Sequence, residues 1–262
     1  MQIPTSFNTP TDPAKDDLTE LATGFPDPAI RAAAASLLND PDLAARLAAS
    51  DPDPEVRQAA TLRIRDQSLL ARVALEWGDV AARVAALRLL DDQEVIERLV
   101  ATGQDPGVRQ EAARQLKNEA LIDRLAVEDP DPEVRHTAVL RTDSQDVLER
   151  SATSDRDPSV RRAAVQRVAD QSVVARSAAG DADPCVRLTA VRRLGDQSLL
   201  ARIADCDADP DVRLVATRHV RDPAALAVLA TDARHLPVRL EARRLMELRA
   251  ASSPATSPRR PA

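Results

Sequence analysis

Aspartate and arginine recur together in this chain at a spacing that could bind ions or charged ligands. Asp53 stands four residues before Arg57, and the pair returns at intervals of 26 residues. Periodic copies of one pair are also expected from helix capping and from hydrogen bonds between repeats. We therefore interpret the pairs as a structural ladder. Its predicted residues are Asp53, Arg57, Asp105, Arg109, Asp131, Arg135, Asp157, Arg161, Asp183 and Arg187.

A second row of arginines follows the same 26-residue period, beside acidic residues such as Glu97, Asp123 and Glu149. One interpretation is a solvated face of surface salt bridges. The other is a track that binds a polyanion or an acidic partner. The row starts at Arg46, and its candidate partner-binding members are Arg72, Arg98, Arg124, Arg150, Arg176 and Arg202.

Trp77 is the one tryptophan of the chain, and it interrupts the repeat. The linker is the segment that leads into each helix A, such as residues 51–54 with the aspartates Asp51 and Asp53. Trp77 stands at the position of the first linker aspartate, and Gly78 follows it. Because tryptophan is enriched at interaction hot spots, Trp77 is a candidate partner-binding residue. The alternative interpretation is that it covers the local core.

Residue types used in catalysis are scarce. Cys185 and Cys206 belong to one repeat, but a zinc site normally needs four ligands. A redox role for these two thiols stays open. His136, His219 and His235 occupy different registers of the repeat and are not expected to converge. We predict no catalytic residues and no cofactor.

Residues 205–211 superficially resemble a calcium-binding loop. An EF-hand needs glycine at its sixth position and glutamate at its twelfth, whereas Pro210 and Ala216 stand there. The aspartates of this segment fit the repeat linker, so no metal site is predicted.

The elements that position these residues are short helices. Asp53 is the predicted N-cap of a helix A that starts at Pro54 and ends near Arg65, and Asp66 caps a helix B. An alanine follows each ladder arginine by three residues, from Ala34 to Ala242, and predicts close helix packing. The predicted helix B caps are Asp40, Asp66, Asp92, Asn118, Ser144, Asp170, Asp196 and Asp222.

Composition supports an all-α class and restricts the partners. Tyrosine is absent and glycine numbers six, while the apolar residues are mainly strong helix formers. The net charge of −6 gives no support to sequence-independent nucleic-acid binding. No apolar run reaches the roughly 18 residues of a membrane span, and the start does not resemble a secretory signal. We expect a cytoplasmic protein without membrane contact.

The period defines the predicted domain boundaries. We expect a disordered leader over residues 1–15 and a single solenoid over residues 16–248. A capping helix over 16–24 would precede nine two-helix repeats over 27–248, and residues 249–262 would form a disordered tail.

Three polar residues replace aliphatic ones at inward positions of the fifth and sixth repeats. They are Thr142, Ser151 and Ser177. Since each repeat packs only on its neighbours, we expect residues 138–178 to open more readily than the flanking repeats.

The run Asp-Pro-Asp-Pro-Glu-Val-Arg, the alanine after it and the later Leu-Leu-Ala-Arg resemble the leucine-rich repeat variant, a helical relative of HEAT repeats. The resemblance covers residues 16–248. It implies a right-handed α-solenoid without a β-sheet, in which Asp53 and Arg57 and their counterparts link neighbouring repeats. Some members bind an iron–sulfur cluster through an N-terminal cysteine-rich domain. Residues 1–26 hold no cysteine, so that role is not carried over.

The leading functional hypothesis is a non-catalytic, bacterial-type scaffold or adaptor that binds a protein partner. One alternative is an accessory factor or enzyme related to HEAT-like lyases or to redox leucine-rich repeat variants. Another is weak nucleic-acid binding through helix A arginines that we expect to be exposed, although the charge does not favour it. These are Arg63, Arg141, Arg167 and Arg193.

Overall fold

The computed structural model describes residues 13–77 and 79–252. Within these residues the chain forms eighteen α-helices and no β-strand. The predicted all-α class is confirmed. No helix in these two ranges is both long and apolar enough to span a bilayer.

The helices alternate between two types after an initial helix, α1, at Pro13–Gly24. Helix A of each repeat is α2 Pro28–Leu37, α4 Pro54–Thr61, α6 Val80–Leu89, α8 Pro106–Gln115, α10 Pro132–Val139, α12 Pro158–Arg167, α14 Pro184–Val191, α16 Pro210–His219 and α18 Leu236–Ser252. Helix B is α3 Pro41–Ser50, α5 Gln67–Glu76, α7 Gln93–Thr102, α9 Glu119–Glu128, α11 Gln145–Ser154, α13 Gln171–Gly180, α15 Gln197–Cys206 and α17 Pro223–Asp232.

Side-chain caps determine where the helices begin. Asp66 accepts the backbone N–H groups of Ser68 and Leu69 at 2.7 and 3.1 Å. This contact satisfies donors that have no partner inside the helix. The other predicted helix B caps accept in the same way and are confirmed, Asn118 through the N–H of Leu121 at 3.3 Å.

The end of helix A varies between repeats. Helix α4 ends at Thr61 rather than near Arg65, where the sequence predicts it. The backbone N–H of Ile64 donates to the carbonyl of Thr61, three residues back, so the chain tightens after the last α-helical turn. Ile64 still points into the core, at 1% exposure.

The described residues form two compact units, which divide between Ile122 and Asp123 within α9. In the first unit α3 packs on α4, α5 on α6 and α7 on α8. In the second unit α11 packs on α12, α13 on α14, α15 on α16 and α17 on α18. In both units helix B therefore packs mainly on the helix A that follows it.

The recurring alanines form the tightest part of the core. Ala60, Ala138 and Ala190 are fully buried, and Ala34 has the largest exposure of the nine at 4%. These methyl groups lie where consecutive A helices pack, such as α2 on α4 and α12 on α14. The placement of the alanines in the packed seam is confirmed.

The outer helices extend beyond the predicted repeat boundaries. Helix α1 begins at Pro13, three residues before the predicted capping segment, and α18 continues to Ser252, past residue 248. Residues 1–12 of the predicted leader and residues 253–262 of the predicted tail lie outside the described residues.

Candidate interaction surface

The ladder arginines link successive repeats through two-pronged hydrogen bonds. In the second unit Nε and Nη2 of Arg135 donate to the two carboxylate oxygens of Asp155 at 2.8 and 2.9 Å. The remaining Nη1 donates to the carbonyl of Asp129 at 2.9 Å. Both side chains of the ion pair are more than nine-tenths buried. The hydrogen bond to Asp155 holds the pKa of Arg135 above its ordinary value, against the effect of burial.

The same bidentate geometry recurs in both units. It joins Arg31 to Asp51, Arg161 to Asp181 and Arg187 to Asp207. In each case the carboxylate belongs to the first aspartate of the next linker. Arg109 donates to the carbonyls of Gly103 and Gln104 within its own linker.

Arg57 and its counterparts link neighbouring repeats as expected, but Asp53 is not an acceptor in that link; it is the N-cap that the sequence predicts. Asp53 caps its own helix α4 through the N–H of Glu55 at 2.9 Å. The second aspartate of each linker does this, because it stands just before the first helical turn. The equivalent caps are Asp105, Asp131, Asp157 and Asp183.

Arg57 differs because Trp77 occupies the position of the first aspartate. Nε of Arg57 donates instead to Oδ2 of Asp79 at 2.9 Å, and Nη2 donates to the same oxygen. Oδ1 of Asp79 meanwhile accepts the N–H of Ala82 and caps α6. One aspartate thus performs two tasks that other repeats divide between two residues.

Trp77 lies half-buried at the end of α5 and contacts the second arginine row. The guanidinium carbon of Arg72 is 4.1 Å from the centroid of the Trp77 ring, which is a cation–π contact. This contact orients a row arginine without neutralising its charge. Gly78 lies outside the described residues.

The helix B arginines are exposed and make no close ion pairs within the described residues. In the first unit they are Arg46, Arg72 and Arg98; in the second they are Arg124, Arg150, Arg176 and Arg202. None of the seven forms a salt bridge with another described residue. Their acidic neighbours bind elsewhere, since Glu97 accepts from Asn118 and Asp123 accepts from Thr142. The salt-bridged interpretation of this face does not hold for the described residues.

The arginines proposed for nucleic acid lie at the end of helix A or just after it, and they are half-buried rather than exposed. Arg63 donates to the carbonyl of Leu38 at 2.8 Å, and Arg167 donates to that of Val139 at 2.7 Å. Each of these bonds reaches back to the preceding repeat. Arg193 bonds in the same way, and Arg141 is also half-buried. The expectation that these side chains are exposed is wrong.

The cysteines and histidines do not assemble a site within the described residues. Cys185 and Cys206 are exposed free thiols, and Sγ of Cys206 lies 3.5 Å from Asp205 Oδ2. Nδ1 of His219 lies 2.9 Å from the carbonyl oxygen of Val215 in its own helix. No group of three or more potential metal ligands occurs in residues 13–77 and 79–252.

Comparison with known proteins identifies the architecture. No protein-family model and no curated protein sequence matches the chain. It is similar to a solved structure described as "a leucine-rich repeat variant with a novel repetitive protein structural motif". The two are 26% identical with a TM-score of 0.64, and the match covers 79% of this chain and 87% of the other. The resemblance to the leucine-rich repeat variant is confirmed.

The glutamines at the start of helix B also link neighbouring repeats, a role that is not among the predictions from the sequence. The glutamine at the start of helix B reaches the loop before the next helix B. Oε1 of Gln67 accepts the N–H of Asp91 at 2.9 Å, and Nε2 donates to the carbonyl of Leu89 at 3.1 Å. Gln93, Gln145 and Gln197 make equivalent contacts. These four glutamines are separated by 26 or 52 residues, and this shared register is the sequence signal for the second ladder.

Proposed function

We propose that this protein is a non-catalytic scaffold that binds an acidic protein partner through the exposed arginines of helix B. The observation that carries the proposal is the contrast between two sets of arginines. Ladder arginines such as Arg135 are buried in ion pairs. Row arginines such as Arg150 are exposed and have no salt bridge within the described chain.

The repetition of the row supports a polypeptide ligand rather than a single small molecule. In the second unit the arginines come from four helices at the same register. Each exposed contact contributes little by itself, and several contacts on one ligand add to the binding free energy. Arginine also binds carboxylates through two parallel hydrogen bonds, which favours acidic side chains.

Charge balance supports a protein over a nucleic acid as the partner. Binding to DNA or RNA depends mainly on neutralising many phosphates, and the chain is acidic overall. The helix A arginines that could have extended a basic surface already donate to backbone carbonyls, as Arg63 and Arg167 do.

Affinity capture from the native host tests this function. The bait is the full chain, compared with a variant carrying Arg150→Glu and Arg202→Glu on the row. The matched control carries Arg162→Glu in α12 and Arg192→Glu at the C-cap of α14, which are also exposed arginines but lie outside the row. We expect the wild type and the control to retain one acidic protein that the row variant loses. Equal retention by all three, or capture that nuclease treatment abolishes, would contradict the proposal.

A further inference from the structure

A cleft lies between the end of α9 and helix α11, and all its lining residues belong to the second unit. Its volume is about 140 Å³. Its apolar lining comes from α9, and its polar lining comes from Arg135, Arg150, Ser151, Ser154, Asp155 and Arg156. Sites for drug-sized molecules run from about 300 to 1,000 Å³, so this cleft suits a single small group.

Ser151 lines this cleft with a small side chain at a position where most other repeats carry a larger one. Its register in helix B holds an aliphatic side chain in six other repeats and a serine in one. The six are Leu47, Val73, Leu99, Leu125, Ile203 and Leu229. The one other serine at this register is Ser177. It lines a second cleft of about 260 Å³ together with Arg176. Both clefts therefore combine a row arginine with a serine in place of an aliphatic residue.

The hydroxyl group of Ser151 has no hydrogen-bond partner. The residue is 3% exposed, and its Oγ is buried without a donor or acceptor in reach among the described residues. Hydroxyls in other helices bond the carbonyl four residues back, as Thr61 does to Arg57 and Thr217 does to Arg213, both at 2.8 Å. A buried polar group without such a bond is unusual in a folded protein.

The charges around the cleft favour an anion. Arg135 and Asp155 neutralise each other through their bidentate contact. Arg150 and Arg156 are exposed, and neither has a salt bridge with the described residues. The net contribution of the lining side chains is therefore two positive charges beside an unused hydroxyl donor.

We propose that this cleft binds the carboxylate of an aspartate or glutamate side chain presented by the partner protein. Arg150 and Arg156 contact the carboxylate from the open side, and the Ser151 hydroxyl donates to it from the buried side. The partner is a polypeptide because Arg150 belongs to the helix B row, and the cleft at Ser177 places another row arginine beside a serine one repeat further. This inference rests on the proposed scaffold function and specifies its recognition site.

The probe for the test is a fluorescently labelled, end-blocked peptide of alternating glutamate and serine. Its binding to the full chain is measured by fluorescence anisotropy at low ionic strength, where charge contacts are least screened. The chemical control is the same peptide with glutamine for glutamate. The protein variants are Ser151→Val, Ser151→Ala and Arg150→Gln, with Arg162→Gln as the matched exposed arginine outside the row.

We expect Ser151→Val and Ser151→Ala each to weaken binding about tenfold, the effect of one hydrogen bond to a charged group. Arg150→Gln should weaken it at least as much, while Arg162→Gln should bind like the wild type. Unchanged affinity in both Ser151 variants, with a loss in Arg150→Gln, would overturn the cleft and leave the scaffold function standing. Equal binding of the glutamine peptide would overturn both. Acetate serves as a small-molecule competitor at the same carboxylate concentration as the peptide. If acetate displaces the peptide from the wild type but not from the Ser151 variants, the assignment to a protein ligand is overturned.

Folding is controlled within the same experiment. Valine restores the aliphatic side chain of this register, so Ser151→Val should keep the helical circular dichroism spectrum and the melting behaviour of a folded chain. With folding verified in this way, unchanged affinity of Ser151→Val and Ser151→Ala for the glutamate peptide contradicts the hydroxyl contact directly.

Discussion

Arg57 donates to Asp79, the residue that also caps the next helix A, because Trp77 has taken the place of its usual partner. In the other described ion pairs of the ladder the acceptor is the first linker aspartate, such as Asp51 or Asp155. The link between these two repeats is kept, but the carboxylate of Asp79 must both bind Arg57 and cap α6. The substitution also gives the chain its one tryptophan, beside a row arginine.

The double role of Asp79 predicts an unusually large effect of its removal. Asp79→Ala should lose the cap of α6 and leave the largely buried guanidinium of Arg57 without its partner. We expect a loss above about 2 kcal/mol, combining an N-cap with an unpaired polar group. Asp53→Ala, which removes only a cap, should cost about 1 kcal/mol. Urea unfolding followed by circular dichroism measures both, and equal losses would contradict the assignment.

The distinction between linking and capping aspartates predicts a second contrast. Asp155→Ala should destabilise the chain by about 3–5 kcal/mol, because it leaves the buried charge of Arg135 uncompensated. Asp157→Ala removes a cap two residues later and should cost about 1 kcal/mol. Thermal unfolding of the two variants compares them directly. A larger loss for Asp157→Ala would contradict the assignment of Asp155 as the stabilising partner of Arg135.

The sequence predicts the repeat, the caps and the buried alanines because those features are local. Asp66 stands directly before a helical pattern, and Ala138 follows Arg135 at one fixed interval. The partner of Arg135 is not local. Both Asp155 and Asp157 lie in the next linker, and only the packing of α10 on α12 brings the first of them to the guanidinium. The unpaired state of the row arginines depends in the same way on contacts between repeats.

Acid should weaken the ladder in a defined pH range. Burial disfavours the charged form of Asp181, but the hydrogen bonds from Arg161 and from the N–H of Asp183 outweigh it, so its pKa lies below the ordinary 3.8. A carboxylate with a depressed pKa stabilises the fold above its unfolded pKa, and that contribution is lost as pH falls through the lower folded value. The urea midpoint should therefore fall once the pH drops below about 3.8.

Two aspartate-to-asparagine variants test whether the ionisation of Asp181 causes this loss of stability in acid. Asp181→Asn should be less stable than the wild type at neutral pH, and the difference should shrink as the pH falls below 3.8. Asp146→Asn removes an exposed carboxylate of α11 and should follow the wild-type pH dependence. A constant difference for Asp181→Asn across the acidic range would show that its ionisation does not contribute.

Trp77 should report on occupancy of the row in the first unit. Its ring contacts the guanidinium of Arg72, and no other tryptophan contributes to the emission. Titration with the glutamate peptide should change the emission of the wild type, because a carboxylate that binds Arg72 alters the cation–π contact. Arg72→Gln should abolish the change and Arg65→Gln, on an exposed arginine outside the row, should keep it. An emission spectrum that stays constant at saturating peptide would contradict a partner contact at this position.

Ser151 and Thr142 are both buried and polar, but only the hydroxyl group of Thr142 forms hydrogen bonds. The hydroxyl of Thr142 donates to Asp123 and accepts the N–H of Ser144 at 3.0 Å, whereas that of Ser151 has no partner. Ser151→Val should therefore stabilise the chain by about 1–2 kcal/mol, since it removes an unsatisfied group and adds apolar contact. Thr142→Val, nearly identical in shape, should destabilise it by about 1–3 kcal/mol. Urea unfolding gives both values, and native-state hydrogen exchange should show slower opening of α11 in Ser151→Val. If the two substitutions shifted stability in the same direction, hydrogen-bond satisfaction would not be what distinguishes them, and the predicted softness of residues 138–178 would need another cause.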